Sequence, residues 1–449
     1  MKFFSLSFFF ISLTLWPNLS LAEEIAAAPA DSWPMYRGSS SLTGLSKSKL
    51  GTDLKQLWSF KAEEGIHSTA AIVDNKVFVG CDDGNLYALD FKTGKKIWEF
   101  KTEDIVESAP LVKDGRVYFG SSDGFVYALS TKNGKLKWKF SLDQPIIGSV
   151  SQVDIYSNNK WQMVFNTLDK LYVIDINGRN VGGFPVKFNY LATSPVGVMD
   201  YDFNKDYRFL IAGNDNKIHN YNIYGDIVKG WSLPKTSSTV VNPIKHFSIA
   251  GKDYILIAEN NGTVQYLSRK GKKRHSSLIN TNIKPNSNFI VQKSYCIDSS
   301  SLVFIDSVNQ LQKTIFNGDI LSIDFNLDSN EKHNPFIYKT TNSNLINYGF
   351  ISESKLKVFG PDKQLYLDKE SDYSLENNVM LSSENDYLIL FNEKIDEIEL
   401  IDNRFQEIPT MFRGTKKCTI GDLNNDGIDE LITVINGSTL LCYQIAVSN

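Results

Sequence analysis

The feature that most constrains this chain is an internal repeat. Residues 67–100 and 107–140 align without a gap at an offset of 40 residues and share 14 identities in 34 positions. Trp58, Trp98 and Trp138 keep the same spacing, and a Phe follows each of them two residues later. Asp-Gly and Asn-Gly turns between short apolar runs supply the positive-φ positions that tight hairpins need. A repeat of this length with four short strands is typical of one blade of a β-propeller.

The same alternation of strands and turns continues along the chain with weaker similarity. It is found in seven further segments: 149–186, 194–233, 242–274, 286–316, 319–359, 373–412 and 416–445. Nine candidate units result, but those between 286 and 412 are the weakest, and propellers of seven or eight blades are commoner. We therefore expect one all-β propeller of four-stranded antiparallel blades, eight in number within a range of seven to nine. The alternative, an immunoglobulin-like array, needs about 100 residues per module, which the period contradicts.

The last unit also predicts how the ring closes. Only three strands fit residues 416–445, while a lone strand at 56–61 precedes the first complete unit. We expect this N-terminal strand to complete the C-terminal blade, because closure of the ring leaves no exposed strand edge.

The N-terminus has the features of a secretory signal peptide. A positive residue precedes an apolar run, and small residues stand at positions 20 and 22, which a signal peptidase would recognise. An uncleaved membrane anchor is the alternative. The predicted divisions are a signal peptide (1–22), an N-terminal linker and entry motif (23–54) and the propeller (55–449). The mature chain is expected to be exported to the periplasm, with secretion or the outer surface as alternatives.

Composition excludes several classes of protein. Lys and Arg total 47 against 51 acidic residues, so the net charge of −4 predicts no nucleic-acid partner. No stretch after the leader is apolar and long enough to predict a transmembrane segment. The four cysteines include no C-x-x-C pair, which argues against zinc ribbons and thioredoxin-type sites. Cys418 and Cys442 are left open as a disulfide pair, and we expect a monomer.

Two motifs resemble PQQ-like repeat propellers of the quinoprotein-like superfamily. They are Asp-Ser-Trp-Pro-Met-Tyr-Arg-Gly at 31–38 and Gly-x-x-Tyr-Ala-Leu-Asp-x-x-Thr-Gly-Lys-x-x-Trp at 84–98. Matching positions of the second unit are Gly124, Tyr127, Ala128, Leu129, Gly134, Lys135 and Trp138. The resemblance is specific through residue 140 and architectural beyond it. It implies that the recurring tryptophans dock one blade on the next, as a large flat ring in the outer strand also suggests.

The resemblance implies two different functions. Quinoprotein dehydrogenases bind pyrroloquinoline quinone (PQQ) and calcium on the propeller axis, whereas other members are binding propellers similar to the periplasmic propeller component of the outer-membrane β-barrel assembly machinery. The enzymes carry inserted helices and a vicinal cysteine pair, and this sequence has no adjacent cysteines. We therefore expect a non-catalytic protein-binding scaffold with a protein partner in the cell envelope, and no bound PQQ. A PQQ-dependent dehydrogenase and a glycan-binding propeller are the alternatives.

One segment has the pattern of a calcium loop. Residues 422–430 follow D-x-N-x-D-G-x-x-E and resemble the loops of integrin-type and VCBS-like propeller repeats. Alternating oxygen side chains and a Gly in a sharp turn suit a hard cation such as calcium. The predicted ligands are Asp422, Asn424, Asp426 and Glu430. Degenerate copies occur at 202–206 and 324–328, although Asn and Asp also simply build tight turns.

Other signals for chemistry are weak. The five histidines show no paired metal spacing, and no nucleophile elbow, phosphate-binding loop or H-E-x-x-H motif occurs, so no catalytic residue is predicted. Asp82 and Asp83 fall in a repeat turn, which weakens an acid/base interpretation. The basic cluster at 269–274 is expected on a hairpin turn, as a solvated segment rather than a phosphate or lipid contact.

Overall fold

The computed structural model describes the chain from residue 53 to residue 446, apart from short gaps. The gaps are 275–278, 281–288, 295–298, 307, 316–319, 326, 328–331, 340–345, 377–378, 383–386, 402–404, 406, 416, 422 and 424–428. The predicted signal peptide and most of the entry motif therefore lie outside the described residues. Nothing in this range except β-strands builds the layers of the fold.

The described strands form nine antiparallel sheets, numbered here in chain order. Sheets 1 to 3 contain β2 (Ala71–Val73), β3 (Lys76–Gly80), β4 (Asn85–Asp90), β5 (Lys96–Lys101); β6 (Leu111–Lys113), β7 (Arg116–Gly120), β8 (Phe125–Ser130), β9 (Leu136–Ser141); and β10 (Ile147–Val153), β11 (Gln162–Asn166), β12 (Lys170–Asp175), β13 (Val186–Lys187). Sheets 4 to 6 contain β14 (Gly197–Met199), β15 (Arg208–Ala212), β16 (Ile218–Tyr221); β17 (Lys245–Ile249), β18 (Lys252–Ala258), β19 (Thr263–Leu267), β20 (Ile279–Asn280); and β21 (Phe289–Gln292), β22 (Ser301–Ile305), β23 (Leu311–Ile315), β24 (Ile320–Ser322). Sheets 7 to 9 contain β25 (Asn334–Lys339), β26 (Ile346–Ser352), β27 (Lys355–Phe359), β28 (Leu365–Glu370); β29 (Val379–Ser382), β30 (Tyr387–Asn392), β31 (Glu397–Ile401), β32 (Glu407–Arg413); and β33 (Cys418–Gly421), β34 (Asp429–Ile435), β35 (Thr439–Ala446) with β1 (Asp53–Lys61).

The all-β propeller with four-stranded antiparallel blades is confirmed, but the prediction of eight blades is wrong. The structure has nine, and sheet 4 alone has three named strands, with a single bridge between Lys217 and Lys235 in place of the fourth. The weak repeat units between residues 286 and 412 each form a complete sheet, namely sheets 6, 7 and 8. Their strands keep buried apolar residues although the Trp and Gly signature of the first units is lost.

The N-terminal strand β1 lies in sheet 9, beside the last strand of the chain. It pairs antiparallel with β35 from Asp53 opposite Ala446 to Lys61 opposite Thr439, with one register shift between Gln56 and Trp58. The sheet order is β1-β35-β34-β33.

Apolar residues form a packed layer between each sheet and the next. Nine clusters of buried side chains are found among the described residues, and each combines residues of two sheets. One of them joins Ile432 and Leu440 of sheet 9 to Ile72 and Val77 of sheet 1. Alternate residues of each middle strand face opposite neighbours, so strands such as Lys76–Gly80 are buried on both sides.

Tryptophan rings on glycines join the sheets that carry the clear repeat. A Cβ on Gly94 would lie 2.6 Å from the ring of Trp58, and one on Gly134 would lie 2.8 Å from that of Trp98. The same contact joins Trp138 to the Gly178 turn. Each ring also donates its indole N–H to a carbonyl of the neighbouring turn: Phe91, Thr131 and Ile176. This geometry assigns the three tryptophans the blade-docking role that the resemblance implied.

The contribution of the tryptophan contact to stability can be measured apart from the cost of placing a non-Gly residue at positive φ. Two glycines of sheet 2 have similar φ, and only one of them lies against a tryptophan ring. Gly134 (φ +67°) lies against Trp98, whereas a Cβ on Gly115 (φ +70°) would meet nothing within 4 Å. Gly115→Ala should cost about 1 kcal/mol for a non-Gly residue at positive φ. Gly134→Ala should cost about 1–3 kcal/mol more from overpacking against the indole. Urea unfolding followed by circular dichroism would measure both, and equal midpoints would contradict the docking role.

Candidate functional site

The connections between strands define two edges of the propeller. In an antiparallel four-stranded sheet, the turns after the first and third strands lie at one end and the turn after the second strand lies at the other. We call the end with the first and third turns the first edge, and the opposite end the second edge. Binding residues in propeller folds are expected on such turns, because a rigid scaffold positions them.

On the second edge, a carboxylate in the turn pairs with a polar side chain of the third strand. In sheet 1 the Tyr87 hydroxyl donates to Asp83 Oδ2 at 2.6 Å, while the Asn85 N–H donates to Asp83 Oδ1 at 2.8 Å. Equivalent pairs recur in four further sheets: Asp123–Tyr127, Asp215–His219, Glu259–Gln265 and Asp306–Gln312. The polar partner changes from sheet to sheet, but the acid position persists.

These pairs account for the shifted pKa values at this edge. Burial and then the hydrogen bond to Asp83 raise the pKa of Tyr87. Burial alone would raise the pKa of Asp83, but hydrogen bonds from Tyr87 and Asn85 outweigh it and hold the pKa below its usual value. Burial lowers the pKa of His219 despite the neighbouring Asp215 carboxylate. Each shift therefore has a cause within the turn itself.

Glu259 is the most buried acid of this edge. Only 2% of its surface is exposed, yet its carboxylate accepts four hydrogen bonds, from the Ser237 N–H and hydroxyl, the Ser238 N–H and the Gln265 amide. A buried carboxylate with this many donors is satisfied, so it fastens the loop before sheet 5 to the turn within that sheet.

On the first edge, two neighbouring sheets share one loop conformation. Asp154 follows the first strand of sheet 3, and its carboxylate accepts the N–H groups of the fourth and fifth residues after it, Asn158 and Asn159. Asp200 does the same in sheet 4, from the N–H groups of Asn204 and Lys205. In both loops the third and fifth residues after the Asp have positive φ. The loop that contains the degenerate copy 202–206 is therefore anchored by Asp200, two residues before that copy.

Arginine side chains pair with the two acids of that degenerate copy. Arg269 Nη1 lies 2.7 Å from Asp202 Oδ2, and Arg208 Nη1 lies 2.5 Å from Asp206 Oδ1. A hydrogen bond from Arg208, with burial opposing it, lowers the pKa of Asp206. In the other copy, Asp324 is described but residues 326 and 328 lie outside the described residues.

The predicted calcium loop occupies the same place in sheet 9, directly after the first strand. Asp422, Asn424 and Asp426 lie outside the described residues, whereas Glu430 is described and fully buried. The N–H of Leu423 donates to Glu430 Oε2 at 2.9 Å. The Ile155 N–H makes the same bond to Gln162 Oε1 at 2.9 Å in sheet 3. Within the described part of the chain, no cluster of three metal-binding side chains is present.

The basic cluster 269–274 lies on the turn after the third strand of sheet 5, as expected. Its two arginines are engaged: Arg269 Nε donates to the Asp253 carboxylate, and Arg274 Nε donates to the Asp253 carbonyl oxygen at 2.7 Å. Burial alone would raise the pKa of Asp253, but hydrogen bonds from Arg269 and His246 hold it below its usual value. The lysines of the cluster extend into solvent.

The described cysteines are unpaired with one another. Cys81, Cys418 and Cys442 are free thiols, so the open alternative of a Cys418–Cys442 disulfide is not realised. Burial raises the pKa of Cys81 to about 11 and that of Cys418 to about 12, so neither is a ready nucleophile.

Exposed aromatic side chains on the first edge are the functional candidates that the sequence interpretation missed. Tyr156 is 56% exposed, Phe203 82% and Tyr224 68%, and all three lie on turns of sheets 3 and 4. The repeat explains apolar residues on strands as core residues, but it does not explain an aromatic residue in a turn of polar residues. Such a residue is the sequence signal that would have identified these three.

The fold and its repeats define the chain as a β-propeller that resembles PQQ-like repeat proteins. Residues 51–196 match the PQQ-like family model described as outer membrane protein assembly factor BamB, which confirms the resemblance over that segment. No curated protein matches the sequence.

Solved structures share the fold at low identity. Quinohemoprotein alcohol dehydrogenase from Comamonas testosteroni is 13% identical with a TM-score of 0.53, covering 94% of this chain and 82% of its own. The quinohemoprotein alcohol dehydrogenase ADHIIG of Pseudomonas putida HK5 is also 13% identical, with a TM-score of 0.54 and coverage of 94% and 81%. A europium-containing methanol dehydrogenase is 12% identical, with a TM-score of 0.50 and 90% of each chain covered. At such identity these structures support the fold alone. In the described part of the chain, no helix has the length and apolar character needed to cross a membrane.

Proposed function

We propose that this protein is a non-catalytic, exported β-propeller that binds a protein partner during cell-envelope or outer-membrane protein assembly. The observation that carries the proposal is the match of residues 51–196 to a family model named for outer membrane protein assembly. The proposed route begins with cleavage of the signal peptide after residue 22, followed by folding in the periplasm as a monomer.

The chemistry of the second edge supports binding rather than catalysis. Its carboxylates accept hydrogen bonds that hold their own turns, as Asp83 does from Asn85 and Tyr87. General acid/base work requires a group aimed at a substrate proton, and these groups are aimed at neighbouring backbone and side-chain donors. The quinoprotein dehydrogenases that share the fold make a PQQ-dependent enzyme the second candidate.

An apolar patch on the second edge is the proposed contact for the protein partner. Leu168 is 43% exposed and Leu191 is 49% exposed, and the Ala192 N–H donates to the Leu168 carbonyl at 2.7 Å, which brings the backbone segments that carry the two leucines together. Adjacent exposed leucines between rigid sheets are the kind of apolar centre that a protein interface buries.

Affinity capture tests the scaffold function. The chain from residue 23, immobilised and crosslinked in native envelope extract, should retain an envelope protein identified by mass spectrometry. Leu168→Arg with Leu191→Arg should reduce its recovery about tenfold or more, because a charge in an apolar contact is costly. Leu136→Arg, at an outer-strand leucine that is 47% exposed, is the matched control and should leave recovery unchanged. Recovery of no envelope protein would overturn the scaffold function.

Reconstitution distinguishes the enzymatic alternative. We expect no cofactor absorbance and no dye reduction with alcohols after incubation with PQQ and calcium. Stoichiometric retention of PQQ together with dye reduction would establish the dehydrogenase class instead.

We also propose that the pairing of β1 with β35 closes the propeller ring. The support is that Trp58 of β1 packs on the Gly94 turn of sheet 1 while its own strand pairs with sheet 9. Removal of residues 23–62 should then abolish the cooperative thermal transition seen for the chain from residue 23, because it exposes the edge of β35 and empties the Trp58 contact. An unchanged transition in differential scanning calorimetry would refute the closure.

The proposed cofactor is calcium, held by the loop 422–430. Comparison with the related loops supports it. At the positions of the four proposed ligands, sheet 4 has Asp200, Asp202, Asn204 and Arg208, and sheet 3 has Asp154, Tyr156, Asn158 and Gln162. In those loops the charge is neutralised by protein cations, since Lys205 Nζ lies 2.6 Å from Asp154 Oδ2 and Arg269 pairs with Asp202. The loop 422–430 itself contains three of the four ligands as acids and no basic residue.

Calcium titration tests this site. Chelated protein should bind one calcium ion by isothermal titration calorimetry and unfold at a higher temperature once loaded, because ligand binding to the folded state stabilises it. Asp426→Asn should weaken binding at least tenfold by removing a ligand charge. Asp202→Asn, at the acid paired with Arg269, is the control and should leave the affinity unchanged. Absence of heat with the unaltered chain would refute the site.

A further inference from the structure

The first edge of sheets 3, 4 and 5 has a net positive charge in a protein whose total charge is negative. We define the basic edge by its turn segments, which are 154–160, 175–180, 200–208, 222–230, 250–253 and 268–274. These segments hold eleven Lys and Arg residues against seven Asp residues, an excess of four positive charges, whereas the whole chain carries −4.

Side-chain contacts join the three sheets of the basic edge into one surface. Lys205 of sheet 4 lies 2.6 Å from Asp154 of sheet 3, and the Tyr207 hydroxyl accepts the Asp154 N–H at 3.3 Å. Arg269 of sheet 5 lies 2.7 Å from Asp202 of sheet 4 and above the ring of Tyr201. The turns are therefore fixed relative to one another.

Three exposed aromatic side chains, which we call the aromatic tips, extend from turns of the basic edge: Tyr156, Phe203 and Tyr224. Hydrogen bonds fix the loop that carries Phe203. Phe203 is 82% exposed with φ +53°, a conformation that is an outlier for a bulky residue. The Asp200 carboxylate holds the loop by accepting the next two N–H groups, those of Asn204 and Lys205. Tyr156 and Tyr224 extend from neighbouring turns. A strained backbone that displays an apolar ring to water suggests a function for that ring.

The arginines and lysines of the basic edge have different roles. Arg208, Arg269 and Arg274 bind acids or carbonyl oxygens within the edge. The exposed lysines enter none of the salt bridges found among the described residues: Lys160, Lys229, Lys252, Lys270, Lys272 and Lys273. The positive charge that the edge presents outward is thus carried mainly by lysine.

From this arrangement we propose that the basic edge docks on an anionic phospholipid surface, with Phe203, Tyr156 and Tyr224 at the headgroup level and the lysines over the phosphates. This goes beyond the scaffold function and does not depend on it, since the apolar leucine patch lies on the opposite edge. Tyr side chains favour the boundary between water and lipid because the ring is apolar and the hydroxyl is polar, and a Phe ring adds apolar area that inserts among the headgroups.

Two features favour a lipid surface over an acidic protein. Protein interfaces are depleted of lysine and enriched in arginine. On this edge three of the four arginines bind partners within the edge, whereas six of the seven lysines are exposed and enter none of the salt bridges described. Lysine attraction to anionic lipid requires no specific geometry and acts through each charge near the surface. The tips also project singly from separate turns, as suits insertion between headgroups.

Vesicle flotation tests the proposal with the chain from residue 23. It should float with phosphatidylcholine vesicles that contain phosphatidylglycerol, less so as salt increases, and not with phosphatidylcholine alone. Replacing Lys270, Lys272 and Lys273 by Gln should weaken the partition about a hundredfold, since each lysine contributes independently to attraction by the anionic surface. Phe203→Ser should weaken it several-fold and leave its salt dependence unchanged, because it removes apolar contact and no charge.

The matched control replaces Lys92, Lys95 and Lys132 by Gln, three exposed lysines on the equivalent turns of sheets 1 and 2. It changes the net charge equally and should keep the original partition. All variants should show the unaltered unfolding midpoint, because the replaced side chains are exposed. Failure of the unaltered chain to float with anionic vesicles would overturn the proposal. So would an equal loss in the control, or lysine-dependent binding to an acidic protein without binding to vesicles.

Discussion

The stacking of a tryptophan ring on a glycine of the next sheet is the contact on which the early part of this propeller depends. A positive-φ glycine leaves a flat surface without a Cβ, the ring covers it, and the indole N–H donates to a carbonyl of the same turn, as Trp98 does across Gly134. The contact fixes distance and rotation between sheets together, because both the ring face and the N–H direction must be satisfied. It also gives the sequence its period, since each sheet needs one Trp to dock forward and one Gly to receive.

Later sheets meet the same requirement by other means, which is why the repeat fades while the architecture continues. Between sheets 6 and 7, Phe325 packs against Tyr348, Phe350 and Phe359 with ring centroids 4.8–5.2 Å apart. Apolar packing tolerates many residue combinations of similar volume, whereas a ring on a glycine tolerates one. The tryptophan contact is therefore visible in the sequence, and an aromatic cluster of equal packing function is not.

This difference explains what the sequence could predict. The all-β propeller, its four-stranded blades and the docking tryptophans follow from residues with a single structural use. The expected number of blades was too low because propellers of seven or eight blades are commoner and three of the nine repeat units have weak sequence similarity. Those three units form the complete sheets 6 to 8. The anchoring role of Asp200 in sheet 4 was not predicted, because the pattern of Asp and Asn alone does not show that its carboxylate accepts the N–H groups of Asn204 and Lys205. The conformation of this loop depends on which N–H groups the Asp200 carboxylate accepts, and the amino-acid composition of the loop does not show that.

One loop conformation carries different side chains in the neighbouring sheets 3 and 4. Its backbone combines a first Asp, which binds two N–H groups, with positive φ at the third and fifth residues after that Asp. The other side chains differ between the two sheets: sheet 3 has Asn159 and Gln162 where sheet 4 has Lys205 and Arg208. The sequence that follows the first strand of sheet 9 is acidic instead. An acidic loop attracts a cation, and a basic one presents its own charge outward. Substitutions at a few positions of one loop type are therefore enough to change the charge that the loop presents at the edge.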